Sequence, residues 1–309
     1  MPTPQDPLPD ALVDRRRLKR GLGVWRAVAV LALLAALFLA LREVAEDAFP
    51  GAGLHVARIE IEGTITESRR LLDALEAARR DRQVAAVLLA IDSPGGAVAG
   101  GEALHAEIAR LAAEKPVVAL LGGTAASAGY MVALPAHRIL ARDSTITGSI
   151  GVVMQTFEAS ELFRLLGLRA ETIASGRLKG QPSPFAPLSD EARTALRAVI
   201  DDLHTQFVGM VVAARRLPEE RVRALADGGV MTGRQAVGVG LVDAIGADRE
   251  ARAWLAAERG VAEGLPVRDV TPRRPTEEWL GAMLGATLKS LFTEWLGVDL
   301  GPGLWQPPR

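Results

Sequence analysis

Ser127 stands in Gly122-Gly123-Thr124-Ala125-Ala126-Ser127-Ala128-Gly129, a run of very small residues. Small neighbours leave its hydroxyl approachable. A helix starting at this point would offer free N–H groups and a favourable dipole to a developing negative charge. That is what a serine nucleophile needs. The other reading is a serine that starts a packed helix; Gly-x-Ser-x-Gly is absent. Ser93-Pro94-Gly95-Gly96 can present a backbone N–H with no side chain in the way, which suits one arm of an oxyanion hole and equally suits a plain strand-to-helix turn. A third glycine-rich stretch is Gly148-Ser149-Ile150-Gly151-Val152.

A nucleophilic serine requires a base. None of the histidines, His55, His105, His137 and His204, has a suggestive context: His55 opens a strand and His204 falls inside a long helical stretch. A lysine serves instead when its amine is kept neutral. Arginine greatly outnumbers lysine, and the lysines are Lys19, Lys115, Lys179 and Lys289. Lys179 lies in Ala174-Ser175-Gly176-Arg177-Leu178-Lys179-Gly180, a predicted loop after a predicted strand. By its residues alone it is a candidate base or a solvated loop charge.

The elements that position these groups are legible from periodicity. His55–Ile61 alternates as a strand, and Val84–Ile91 and Pro116–Leu121 are apolar runs of the kind buried on both faces. Short strands are predicted within 132–140, 145–153 and 168–173. Helices are predicted from Thr66 or Ser68 to Arg80, over 98–113, from Ala126, and from Ser189 to Arg215, with shorter ones over 218–226, 232–237 and 250–260. The alternation over 55–175 is an α/β unit with a largely parallel sheet, followed by a helical C-terminal half. All three glycine-rich loops then fall at carboxyl ends of strands, where open α/β sheets gather ligands.

Composition narrows the function. Lys plus Arg is 36 against 37 acids, and the only basic block is N-terminal, which argues against nucleic acid. With no cysteine, thiolate chemistry and Cys-ligated metal sites are excluded; four histidines argue against a His-rich metal site, and no cofactor is expected. Residues 1–21 read as a cytoplasmic tail ending in Arg15, Arg16, Arg17, Lys19 and Arg20. Residues 22–41 read as a single transmembrane anchor, with Trp25 at the interface. The positive-inside rule keeps the basic tail in the cytoplasm and places the rest outside the cell's inner membrane. A cleaved signal peptide is the rival, but no Ala-x-Ala follows the run. Residues 256–309 read as an extension whose Leu284, Leu288, Leu291, Phe292 and Trp295 share a helical face, to pack on the domain, a partner or the membrane surface.

Taken together, Ile91-Asp92-Ser93-Pro94-Gly95-Gly96, Ala125-Ala126-Ser127-Ala128-Gly129-Tyr130, Thr147-Gly148-Ser149-Ile150-Gly151-Val152 and Gly176-x-x-Lys179 resemble the signal peptide peptidase A (protease IV) family, peptidase family S49, in its short membrane-anchored form. Met231-Thr232-Gly233-Arg234-Gln235-Ala236 and Gly240-Leu241-Val242-Asp243 extend the match, so the resemblance covers roughly 54–255. It implies a Clp protease/crotonase-like core and a Ser/Lys endopeptidase. Ser127 would be the nucleophile and Lys179 the general base. Ser149 would orient the lysine, and the N–H groups of Gly95 or Gly96 and of Ala128 would form the oxyanion hole. It also implies a homo-oligomeric ring, with the site shared between subunits, acting on peptides such as signal-peptide remnants.

The sequence departs from the family pattern at Ala128, where glycine is usual, at Ala97 for serine, and at Leu178 for an aromatic residue. These departures bear on pocket shape; Ala128 in particular is expected to narrow the pocket. Two rivals remain at this stage, a catalytically silent membrane-anchored scaffold and a crotonase-like acyl-CoA enzyme.

Overall fold

The computed structural model describes residues 53–272. The predicted tail at 1–21, the anchor at 22–41 and the amphipathic stretch within 279–295 lie outside the described residues. Among the described residues no helix is long and apolar enough to cross a membrane.

The elements, in order, are β1 (His55–Glu62), α1 (Arg69–Arg80), β2 (Val84–Ser93), α2 (Val98–Glu114), β3 (Val117–Ala126), α3 (Ala128–Ala133), β4 (Arg138–Ala141) and β5 (Ile146–Gly148). Then follow α4 (Ser160–Leu165), α5 (Asp190–Arg215), α6 (Glu219–Leu225), β6 (Val230–Thr232), α7 (Gly233–Val239), β7 (Ala244–Ile245), α8 (Asp248–Arg259) and β8 (Val267–Asp269). The strands join one sheet in the order β6-β5-β3-β2-β1-β8, with β4 pairing to both β3 and β7. Every pairing is parallel except β5 with β6.

Alternation along the strands separates two apolar faces. Ala57, Ile59, Ile61, Val87, Leu89 and Ile91 point to the larger core, which α1, α2, α3 and α5 cover through Leu75, Leu104, Ile108, Tyr130 and Phe207. Val56, Ala86, Leu88, Val118 and Leu120 point to a smaller core capped by Ala251 and Leu255 of α8. Local chemistry sets the helix starts. Ser68 Oγ accepts from the Leu71 N–H, and Ser189 Oγ accepts from Ala192 N–H ahead of Asp190 and Glu191. Thr232 and Gln235 close a capping box on α7.

Two predictions need correction. The C-terminal half is mostly helical, but it also returns β6, β7 and β8 to the sheet. Leu168–Ile173 is not a strand. Among the described residues no strand pairs with it to complete a ladder, and Ile173 is 94% exposed.

Candidate active site

The site is built where β3 changes partners. The first half of β3 pairs with β4, and Thr124, Ala125 and Ala126 pair with β5. Against β2 the register slips: Ile91 faces Leu121, but Ser93 faces Ala125. The extra length, Gly122 to Thr124, folds over Asp92, whose carboxylate accepts the Thr124 N–H at 3.0 Å and the Gly123 N–H at 3.4 Å. A Cβ on Gly122 would lie 3.1 Å from the Asp92 side chain, so a larger residue there would push the carboxylate aside. Thr145 Oγ1 donates to the Gly122 carbonyl at 2.8 Å and Thr147 Oγ1 to the Ala125 carbonyl at 2.7 Å, which fastens the end of β3.

Ser127 follows at once, between β3 and α3, with φ 52° and ψ −123°. This is a backbone conformation that side-chain-bearing residues rarely adopt. It is held from both sides. The Ser127 N–H donates to the Gly148 carbonyl at 2.9 Å, and the Ser127 carbonyl accepts from Tyr130 and Met131, each at 2.9 Å. Tyr130 is fully buried, and its phenol donates to the Leu241 carbonyl at 2.7 Å, pinning α3. Burial pushes that phenol well above its usual pKa, so it stays a donor.

The loop Ser93–Gly96 packs directly on Ser127. Gly95 has φ +113°, and a Cβ there would lie 3.1 Å from Ser127 Oγ. The Gly95 N–H donates to Ser93 Oγ at 3.1 Å. The N–H groups of Gly96 and Ala128 reach no acceptor among the described residues. Of the three predicted oxyanion donors, those two are the open ones. The Ala128 methyl is buried against Gly101 of α2 and does not line the cavity, contrary to the expectation that it narrows the pocket.

Ser149 also has a positive φ, 50°. Its N–H donates to the Gly229 carbonyl at 2.7 Å. The strained pair, Ser127 and Ser149, line one cavity of about 480 Å³. It is also lined by Arg197, Asp201 and His204 of α5 and by Asp227 of the loop after α6. The sequence placed His204 in a helix without function; only packing shows that it lines the same cavity as Ser127. A helical face of 197, 200, 201 and 204 was the available signal.

Lys179 is not brought to that cavity. It sits in a turn whose N–H donates to the Gly176 carbonyl at 3.1 Å, and it lines a separate, open cavity with Thr172, Ser175 and Gln181. Its segment is tethered by an Arg177–Glu191 ion pair at 2.9 Å and by Phe163 stacking edge-on to Phe185 at 5.1 Å. Among the described residues no cluster of three or more His, Cys, Asp or Glu is suited to a metal ion.

Comparison with known proteins defines the class. The family model described as Peptidase family S49 matches residues 109–262. A putative protease of Synechocystis (slr0021) is 38% identical over 208 residues, covering 67% of this chain and 75% of the relative. A putative signal peptide peptidase SppA of Enterococcus faecium is 30% identical over 231 residues, covering 74% of this chain and 65% of the relative. The membrane-bound stomatin-specific protease 1510-N is similar in structure at a TM-score of 0.44 and 17% identity, covering 72% of this chain and all (100%) of that one. The chain is thus an α/β protein of a protease family. It belongs to peptidase family S49.

Proposed function

We propose that this chain is a serine endopeptidase in which Ser127 is the nucleophile and Lys179 the general base. The observation that carries the reading is Ser127 itself: a strained residue between strand and helix, beside two open N–H groups, in a cavity large enough for a peptide side chain. The reaction divides into two displacements. Neutral Lys179 takes the Ser127 proton, Oγ attacks the peptide carbonyl, and the Gly96 and Ala128 N–H groups hold the oxyanion. The lysine then protonates the leaving amine and activates the water that releases the acyl group. Ser149 orients the amine.

Within one copy the lysine stands apart from Ser127, so the dyad is completed between copies, in a ring. The segment that carries Lys179 supports this. Val153, Phe157, Leu165 and Ile173 are 80%, 74%, 75% and 94% exposed, apolar surface that a neighbouring copy would cover. The core is of the Clp protease/crotonase type, its parallel sheet and glycine-rich turns agreeing with that. The domain lies outside the inner membrane on the 22–41 anchor, and the substrates are membrane-associated peptides such as signal-peptide remnants.

The test is complementation. Full chains carrying Ser127→Ala or Lys179→Ala are each inactive on a quenched apolar peptide. Unfolded together and reassembled, they regain activity, because some interfaces pair an intact Ser127 with an intact Lys179. Two inactive variants that never complement place the dyad within one copy. Activity that survives Ser127→Ala overturns the nucleophile, and a parent that assembles yet never reacts with a fluorophosphonate favours a silent scaffold.

A further inference from the structure

The cavity that Ser127 lines carries charge that the proposed chemistry does not use. α5 presents Arg197, Ile200, Asp201 and His204 to the cavity, and the loop after α6 presents Asp227. Arg197 and Asp201 cancel, with Nε 2.9 Å from Oδ1. His204 Nε2 lies 2.8 Å from the Ala226 carbonyl, which can only accept, so Nε2 carries a hydrogen and Nδ1 faces no partner among the described residues.

Asp227 differs from these. Its Oδ1 accepts the Gly229 N–H at 2.8 Å, and it makes no ion pair among the described residues. Among the described residues it is therefore the one formal charge lining the cavity without a counter-ion. Its position is set by the site itself. Gly229, two residues on, accepts from the Ser149 N–H at 2.7 Å, and the Gly228 N–H donates to the Ile150 carbonyl at 3.2 Å. The loop bearing Asp227 is thus hydrogen-bonded to the turn bearing Ser149. The same cavity is lined by the apolar side chains of Val152, Val153 and Ile200. Apolar side chains and an unpaired carboxylate in one cavity match an aliphatic stem with a cationic head.

We propose that Asp227 is a specificity-determining residue that selects peptides with a lysine or arginine side chain next to the bond cleaved at Ser127. The proposal rests on Ser127 as the nucleophile. The other use of the carboxylate, receiving the Lys179 amine of a neighbouring copy, gives different kinetics.

The experiment uses the full chain in detergent and quenched peptides that differ at one position, carrying lysine, norleucine or glutamate, with cut sites read by mass spectrometry. At one position flanking the cut, lysine is preferred over norleucine by roughly fivefold in kcat/KM, the size of a partly exposed ion pair. The ratio shrinks as salt is raised. Asp227→Asn brings the ratio close to one through loss on the lysine peptide, and Asp227→Lys moves the preference toward glutamate. A parent ratio near one overturns the proposal, and so does a ratio that survives Asp227→Asn. An equal fall on all peptides in Asp227→Asn assigns the carboxylate to the catalytic amine and also overturns it. Where a variant fails to fold, the parent ratio and its salt dependence decide. Cleavage that persists in Ser127→Ala is the separate failure, that of the nucleophile.

Discussion

Gly95 and Ser127 meet so closely that a single methyl cannot be placed between them: a Cβ on Gly95 would lie 2.8 Å from the Ser127 Cβ. Two loops 32 positions apart in the chain, one after β2 and one after β3, are thereby locked face to face. The contact leaves the Ser127 hydroxyl at the surface of the cavity with the Gly96 and Ala128 N–H groups unused.

Gly95→Ala tests that lock. The added methyl must displace Ser127 and also force a side chain into φ +113°, so both contacts and backbone oppose it. The expected cost is about 2 kcal/mol of stability. Fluorophosphonate labelling of Ser127 should fall by roughly a hundredfold, the scale of losing one oxyanion donor. Labelling at the parent rate would show that the loop is free to move.

Strain at Ser127 gives a prediction of opposite sign. Ser127→Ala and Ser127→Gly both remove the nucleophile, but only glycine relaxes φ 52°. Urea unfolding should place Ser127→Gly above Ser127→Ala by about 1 kcal/mol. The reverse order would mean that the turn is unstrained.

Asp92 holds the Gly122–Thr124 bulge through the Thr124 N–H, three residues before Ser127. Removing the acceptor at this exposed position costs about 1 kcal/mol. In peptide assays Asp92→Ala should lower kcat more than it raises KM, with Asp92→Asn intermediate because its amide oxygen still accepts. A pure KM effect would place Asp92 in substrate binding instead.

Tyr130→Phe leaves the buried Leu241 carbonyl without its donor, at a cost of about 1–2 kcal/mol. The sign with pH follows from the raised pKa. The folded state holds the phenol proton more tightly, so the contribution is complete below the unfolded pKa of about 10 and is lost as pH rises beyond it. The difference between parent and variant in urea should be flat from pH 6 to 9 and narrow only in stronger base.

His137 acts at the other end of the scale. Its Nδ1 accepts the Val117 N–H at 3.1 Å, which requires the neutral ring, and burial with Arg259 nearby lowers its pKa. The unfolded chain therefore binds the proton more readily, and stability falls as pH drops through about 6.5. His137→Asn keeps an acceptor that does not titrate. Its stability should depend less on pH between 7 and 5 than the parent's; equal slopes would assign the acid sensitivity elsewhere.

Much of this protein is written locally. Alternation at His55–Ile61, unbroken apolar runs at Val84–Ile91 and Pro116–Leu121, and the caps at Ser68 and Ser189 specify β1, β2, β3, α1 and α5, because strand and helix periods and capping act within a few residues. The small-residue run around Ser127 announces a tight turn in the same way. The tertiary structure alone decided the rest. Gly122 to Thr124 became a bulge because Asp92 was there to accept the Gly123 and Thr124 N–H groups, and Leu168–Ile173 stayed out of the sheet, with no partner strand among the described residues. His204 and Asp227 joined Ser127 and Ser149 around one cavity, whereas Lys179 was held outside it. Those outcomes depend on pairing, burial and charge between residues far apart in the chain, and no local pattern encodes such distances.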